Sequence, residues 1–159
     1  MAFQPTDQKP VAGCAICDVL DNNQDNVVVF ETDLWRVSLA DDQRYLGRAY
    51  MTLLRHAPDL PSLTDAERAE YWDIICLLEN LYKSRLNASH VTYAWLMNNA
   101  YREPDPKPHV HGHIRPRYAQ AVTVAGREWR DLEFGEHHTR NTSVVPTSIL
   151  REIRDVLIG

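Results

Sequence analysis

Short runs in which apolar and polar residues alternate stand before and after one long stretch of helical periodicity. Asn26 to Glu31 (NVVVFE) and Trp35 to Leu39 (WRVSL) are β-rich, and Thr32-Asp33 between them predicts a hairpin. Arg48 to Leu54 is a third strand, closed by Arg55-His56 and a loop with Pro58 and Pro61. Thr64, with Glu67 three residues later, is a capping box. The spacing of Tyr71, Ile74, Ile75, Leu78, Leu81 and Tyr82 predicts the helix it opens, ending near Asn87. Thr92 to Met97 and His109 to Arg115 are two more strands, separated by a loop with Pro104, Pro106 and Pro108. Val122 to Val145 has no clear period. A last helix starts at Thr147 or Ser148 and buries Ile149, Ile153 and Leu157. Strands on both sides of one long central helix predict an α+β domain with a mostly antiparallel sheet.

Length and composition narrow the class. With 159 residues and neither repeat nor linker, the chain reads as a single domain, 1–159, with 1–13 a loose polar N-terminus. No run approaches the roughly 18 apolar residues of a membrane span. The first twenty residues have neither the basic start nor the apolar run of a signal peptide. Three cysteines argue against a disulfide scaffold and for a reducing compartment, hence a cytoplasmic protein. The net charge of −5 argues against a nucleic-acid polymer as partner. That charge is unevenly spread. Seven of the 17 basic residues fall in two windows without acids: Arg44, Arg48 and Arg55 in 43–58, and Lys107, Arg115, Arg117 and Arg127 in 106–127. Brought together, these windows would make a positive field suited to a small anion such as phosphate.

The sharpest chemical signal is His109-Val110-His111-Gly112-His113. On a strand, alternate side chains share one face at a spacing of about 6.5–7 Å. Three imidazoles in a row suit either a set of metal ligands or a nucleophilic histidine flanked by helpers. The second signal is Cys14-x-x-Cys17, which reads as half of a zinc site, a redox pair or two buried thiols.

These motifs together resemble the histidine triad (HIT) family. The stretch HVHGHIRPR (His109–Arg117) is similar to the family signature. Leu46-Gly47-Arg48 onward to Arg55-His56-Ala57-Pro58-Asp59-Leu60, then Leu63-Thr64 and Glu67, is similar to the segment that precedes its central helix. Trp95 to Asn98 matches the strand whose Asn precedes the triad. The resemblance covers roughly residues 14–118, and 119–159 fits as a less family-like C-terminal extension. It implies a HIT-like α+β fold with a structural zinc held by Cys14, Cys17, His56 and His109, tying the N-terminus to the catalytic strand. It further implies that His111 is the nucleophile, that His113 hydrogen-bonds the phosphate oxygens and that Asn98 orients one or the other. Arg48, Lys107 and Arg115 would offset phosphate charge, and Asp41 or Asp42 is the nearest candidate for the ribose. The implied substrate is a dinucleoside polyphosphate or a nucleoside phosphoramidate, cleaved at the α-phosphate, and the implied assembly is a homodimer.

Three departures bear on the substrate. Arg48 stands where the family has His, and Asp105-Pro106-Lys107-Pro108 replaces a Gly-Gln-Ser/Thr stretch that contacts the leaving group. Gly112 stands where a hydrophobic residue is usual. Arg48 and Pro106 motivate an alternative, a nucleotide-binding module with weak or no catalysis. A further alternative is a metallohydrolase in which His109, His111 and His113 all face a catalytic metal. Elsewhere, Cys76, Trp72 and Trp95 read as core, Trp35 as core or the wall of a base pocket, and His137-His138 as an exposed loop pair.

Overall fold

The computed structural model describes residues 10–22, 27–136 and 142–159. Helix α1 (Ala15–Asp21) is followed by strands β1 (Val27–Glu31), β2 (Trp35–Leu39) and β3 (Ala49–Leu53). Helix α2 (Asp65–Leu86) leads to β4 (His90–Trp95) and, through a 3-10 helix at Met97–Arg102, to β5 (His111–Arg117). Strands β6 (Val122–Val124) and β7 (Arg127–Trp129) precede helix α3 (Thr147–Ile158). The first five strands form an antiparallel sheet in the order β1-β2-β3-β5-β4, and β6 pairs with β7 alone. The expected α+β fold is therefore present, with its mostly antiparallel sheet, long helix and C-terminal helix.

The sheet separates core from chemistry. Trp35, Val37, Leu39, Met51, Leu53 and Ile114 point to one face and are almost fully buried. Residues of opposite parity, among them Ser38, Tyr50, Thr52, His111, His113 and Arg115, share the other face. Strand β5 is interior: His111 lies opposite Thr52, His113 between Tyr50 and Ala94, and Arg115 opposite Thr92. Ladder bonds on both sides hold the backbone of the row in place.

Helix α2 begins as its sequence dictates. The Thr64 Oγ1 accepts from the Glu67 N–H at 3.2 Å, and Glu67 Oε2 accepts from the Thr64 N–H at 2.7 Å. It ends at Asn87, which takes the left-handed conformation at φ 57°. Ile74, Ile75, Leu78, Tyr82 and Leu86 form the buried stripe. Cys76 and Trp72, expected in the core, lie off that stripe and are exposed, Trp72 at 63%. The apolar run on this helix is simply wider than the face that the sheet covers. Trp95 is half-buried against Tyr71, and Trp35 is wholly core, its Nε1–H donating to the Glu67 carbonyl at 3.2 Å.

The turn into β3 depends on Gly47. Its φ of 78° is left-handed, and a Cβ there would lie 2.7 Å from the Tyr82 ring. Tyr82 in turn donates its hydroxyl to the Gly47 carbonyl at 2.7 Å. Strand edges differ from expectation by up to two residues. Strand β4 runs from His90 and stops at Trp95, and β5 starts at His111 because the Val110 N–H donates to Ala57. The C-terminal stretch, without clear period in the sequence, is tied back by Arg117, whose Nε donates to Asp131 at 2.6 Å and whose Nη2 reaches the Glu133 carbonyl. In α3 the fully buried residues are Leu150, Ile153 and Leu157, with Ile149 half-buried. His137 and His138 lie outside the described residues.

Candidate functional site

Cys14 is the N-cap of α1 and Cys17 lies one turn on, so both thiols face the same way, toward the loop after β3 and the stretch that leads into β5. There they meet His56 and His109, and all four are buried. The four ligand atoms lie within 4.8 Å of one another. The Cys17 Sγ is 3.4 Å from His56 Nδ1 and 3.5 Å from His109 Nδ1, and Cys14 Sγ is 3.5 Å from His109 Nδ1. A tetrahedron with Zn–S of about 2.3 Å and Zn–N of about 2.0 Å has sulfur–nitrogen edges of roughly 3.6 Å. The donor set therefore fits zinc in both type and spacing. The second nitrogen of His109, Nε2, donates to the Leu53 carbonyl at 2.8 Å, which leaves Nδ1 unprotonated and aimed at the thiols. Burial pushes the Cys17 thiol up to about 11 and holds His109 down to about 4, a bias toward neutral ligands that a bound cation offsets at the thiols.

With both nitrogens of His109 engaged, the row does not act as a joint ligand set. Among the described residues His111 and His113 belong to no metal-type cluster. The Nδ1 of His111 is 2.8 Å from the His109 carbonyl. A carbonyl can only accept, so Nδ1 carries the proton and Nε2 presents its lone pair. Burial, partly countered by that hydrogen bond, keeps the imidazole neutral to lower pH than usual. The His113 ring is 5.1 Å from that of His111 and 5.0 Å from Tyr50, which meets it edge-on.

His111 and His113 line a cavity of about 490 Å³. One wall is apolar and comes from α1, through Ile16, Val19 and Leu20. Another is the loop between β4 and β5, with Met97, Asn99 and Lys107. An apolar wall facing two imidazoles and a lysine suits a ligand with an apolar part joined to an anion.

Not every expected residue arrives there. Lys107 does, paired with Asp105 at 2.9 Å. Asn98 does not: β4 ends three residues earlier, the chain turns into the 3-10 helix, and of the two exposed asparagines there Asn99 lines the cavity and Asn98 does not. Asp41 is exposed and outside the cavity, and Asp42 is spent locally on Arg48 and the N–H groups of Arg44 and Ser143. The acids that do line the cavity are Glu103 and Asp105. Arg48 and Arg115 lie beyond His113, outside its lining. Sequence reading missed Ser38, Tyr50 and Thr52, for which strand alternation on β2 and β3 was the available signal, and missed α1 altogether. The spacing of Cys17 from Leu20 and of Ile16 from Val19 is that helix's only mark.

The sheet, helix order and histidine row together define the histidine triad fold. Solved structures resemble the chain at that level. A hypothetical histidine triad nucleotide-binding protein from Sulfolobus tokodaii strain 7 superposes with a TM-score of 0.67 at 12% identity, over 91% of this chain and 89% of that one. A HIT-like protein involved in cell-cycle regulation from Bartonella henselae gives 0.65 at 16% identity, over 94% and 98%. A Zn-bound histidine triad family protein from Mycobacterium smegmatis gives 0.63 at 15% identity, over 91% and 93%. No protein-family model matches the sequence, and no curated protein sequence matches it.

Proposed function

We propose that the protein is a nucleotide hydrolase or nucleotidyl transferase in which His111 Nε2 attacks the α-phosphorus of a dinucleoside polyphosphate or nucleoside phosphoramidate. The observation that carries this reading is the His111 tautomer: Nδ1–H is committed to a backbone carbonyl, which leaves the Nε2 lone pair free on a ring that lines the cavity. The Nε2 lone pair forms the P–N bond, and the bond from phosphorus to the leaving group breaks with its electron pair going to that group. Water or another acceptor then takes the nucleotidyl group, the P–N pair returns to Nε2, and the acceptor's proton is released. His113 donates to the phosphate oxygens, and Lys107 in the cavity lining offsets their charge.

The Cys14, Cys17, His56 and His109 set is proposed to hold a structural zinc. The metal would staple α1, which walls the cavity, to the residue whose carbonyl accepts the His111 Nδ1–H hydrogen bond, without entering the reaction. The oligomer proposed is a homodimer, checked by light scattering, and the compartment the cytoplasm. His111→Asn tests the mechanism. It should abolish turnover of diadenosine polyphosphates and adenosine phosphoramidate while nucleotide binding remains measurable. Retained turnover would refute the nucleophile. Absence of a labelled histidine adduct in the unaltered protein with every adenylyl donor would favour a binding module without chemistry.

A further inference from the structure

Two residues past His113, on the same face of β5, stands an arginine whose surroundings hold no counter-charge. Arg115 is only 7% exposed, yet among the described residues no carboxylate pairs with it and no acceptor takes a hydrogen bond from it. Burial, and after it the like charges of Arg48 and Arg44, push its pKa down. Each of these neighbours already has a carboxylate: Asp42 for Arg48, and Glu133 at 3.8 Å for Arg44. Arg117, next on the same face, is clamped by Asp131. Arg115 is the cation left over. The side chain is mostly covered, but its nitrogens are not among the fully enclosed unpartnered atoms, so an anion can reach them, and the thinned water around them strengthens the attraction.

Its place relative to the nucleophile is defined. The Tyr50 ring lies 5.0 Å from His113 on one side and 5.8 Å from the Arg48 guanidinium on the other, with its hydroxyl 3.5 Å from Arg48 Nη2. The histidine row thus runs without a break into the arginines. At the opposite end stands the apolar wall of α1. A nucleotide with its base against α1 and its α-phosphate at His111 would extend the rest of its phosphate chain toward Arg115. His111 and Arg115 are four strand steps apart, about 13 Å between Cα atoms, a gap that a phosphate chain and an arginine side chain together span.

We infer that Arg115, with Arg48 beside it, is a second anion subsite that binds the leaving group, so that the substrate class is a nucleoside or dinucleoside polyphosphate and not a phosphoramidate with a neutral amine. The inference rests on the nucleotidyl-histidine reading above. In that reaction the Pα–O bond breaks, and the bridging oxygen keeps the pair as the terminal oxygen of the departing phosphate, whose charge Arg115 holds. A neutral amine would leave Arg115 without a ligand.

Calorimetry with AMP, ADP and ATP on the His111→Asn protein tests this without turnover. Affinity should rise at least about tenfold from AMP to ATP, the size of one or two charge-assisted hydrogen bonds. Adding Arg115→Met should bring the ATP-to-AMP ratio close to one, and Arg115→Lys should restore much of it. The melting temperature of Arg115→Met should equal or exceed that of its parent, because the change removes a repulsive buried charge. ATP binding no tighter than AMP would overturn the inference and leave the nucleotide reading standing. So would a ratio unchanged by Arg115→Met. Loss of the fold in that variant would overturn it as well, since the guanidinium would then be structural. Failure of AMP itself to bind the folded protein would instead remove the nucleotide reading, and the subsite with it.

Discussion

Glu67 joins the helix cap to the metal-type cluster, and Glu67→Gln tests how much that junction contributes. The Glu67 side chain is 2% exposed and takes two hydrogen bonds from Arg55, at 2.5 Å from Nε and 2.7 Å from Nη2, besides the cap bond from Thr64. Arg55 also donates to the Ser62 carbonyl at 2.8 Å and immediately precedes His56. Glutamine keeps the cap acceptor but turns an N–H group toward the guanidinium, so the ion pair is lost and a cation is stranded. Breaking a buried pair costs about 3–5 kcal/mol, and Arg55 at 19% exposed can regain some water, which places the loss near ~3 kcal/mol. Burial alone would raise the Glu67 pKa, but the Arg55 and Thr64 hydrogen bonds outweigh it and hold the carboxyl below its ordinary value. A depressed pKa means that the native state favours the charged form. The stability it brings is complete above the unfolded value of about 4.3 and is lost as pH falls through the lower folded value. Urea unfolding of both proteins from pH 7 down to pH 3 measures it. The gap should be near ~3 kcal/mol at pH 7, constant to about pH 5, and shrinking below about pH 4.3. A gap under about 1 kcal/mol, or one that does not change with pH, would refute the reasoning.

Two further tests address the frame of the site. Gly47→Ala should cost about 2–5 kcal/mol, from left-handed backbone strain plus overpacking against a fully buried Tyr82 ring, read as a lower urea midpoint at unchanged slope. A cost under about 1 kcal/mol would mean that the ring yields freely. Cys17→Ser should remove zinc, measured as metal per chain by atomic emission, and should lower stability by about 5 kcal/mol or more. Metal retained in full would rule out the four-ligand cluster. The unaltered protein should carry one zinc, and His111→Asn should keep it.

The sequence by itself determined what is local or periodic. Thr64 and Glu67 contact each other within one turn, so the start of α2 could be read from two letters. The alternation of His111, Gly112 and His113 settles which face each takes once the segment is a strand, whereas the Cys14, Cys17, His56 and His109 set was legible only through the resemblance to the histidine triad family, since Cys-x-x-Cys alone leaves zinc, redox and buried-thiol readings open. What only the tertiary structure decided is which of several chemically equal residues meets a distant partner. Asn99 rather than Asn98 lines the cavity because β4 ends at Trp95 and a 3-10 helix turns the chain there. Trp72 and Cys76 are exposed because the sheet covers a narrower stripe of α2 than its apolar residues span. Arg48 and Arg115, alike in an acid-free window, part company because Asp42 reaches one and no described carboxylate reaches the other. Charge pairing is chosen by distances across the fold, and one-dimensional order does not contain them.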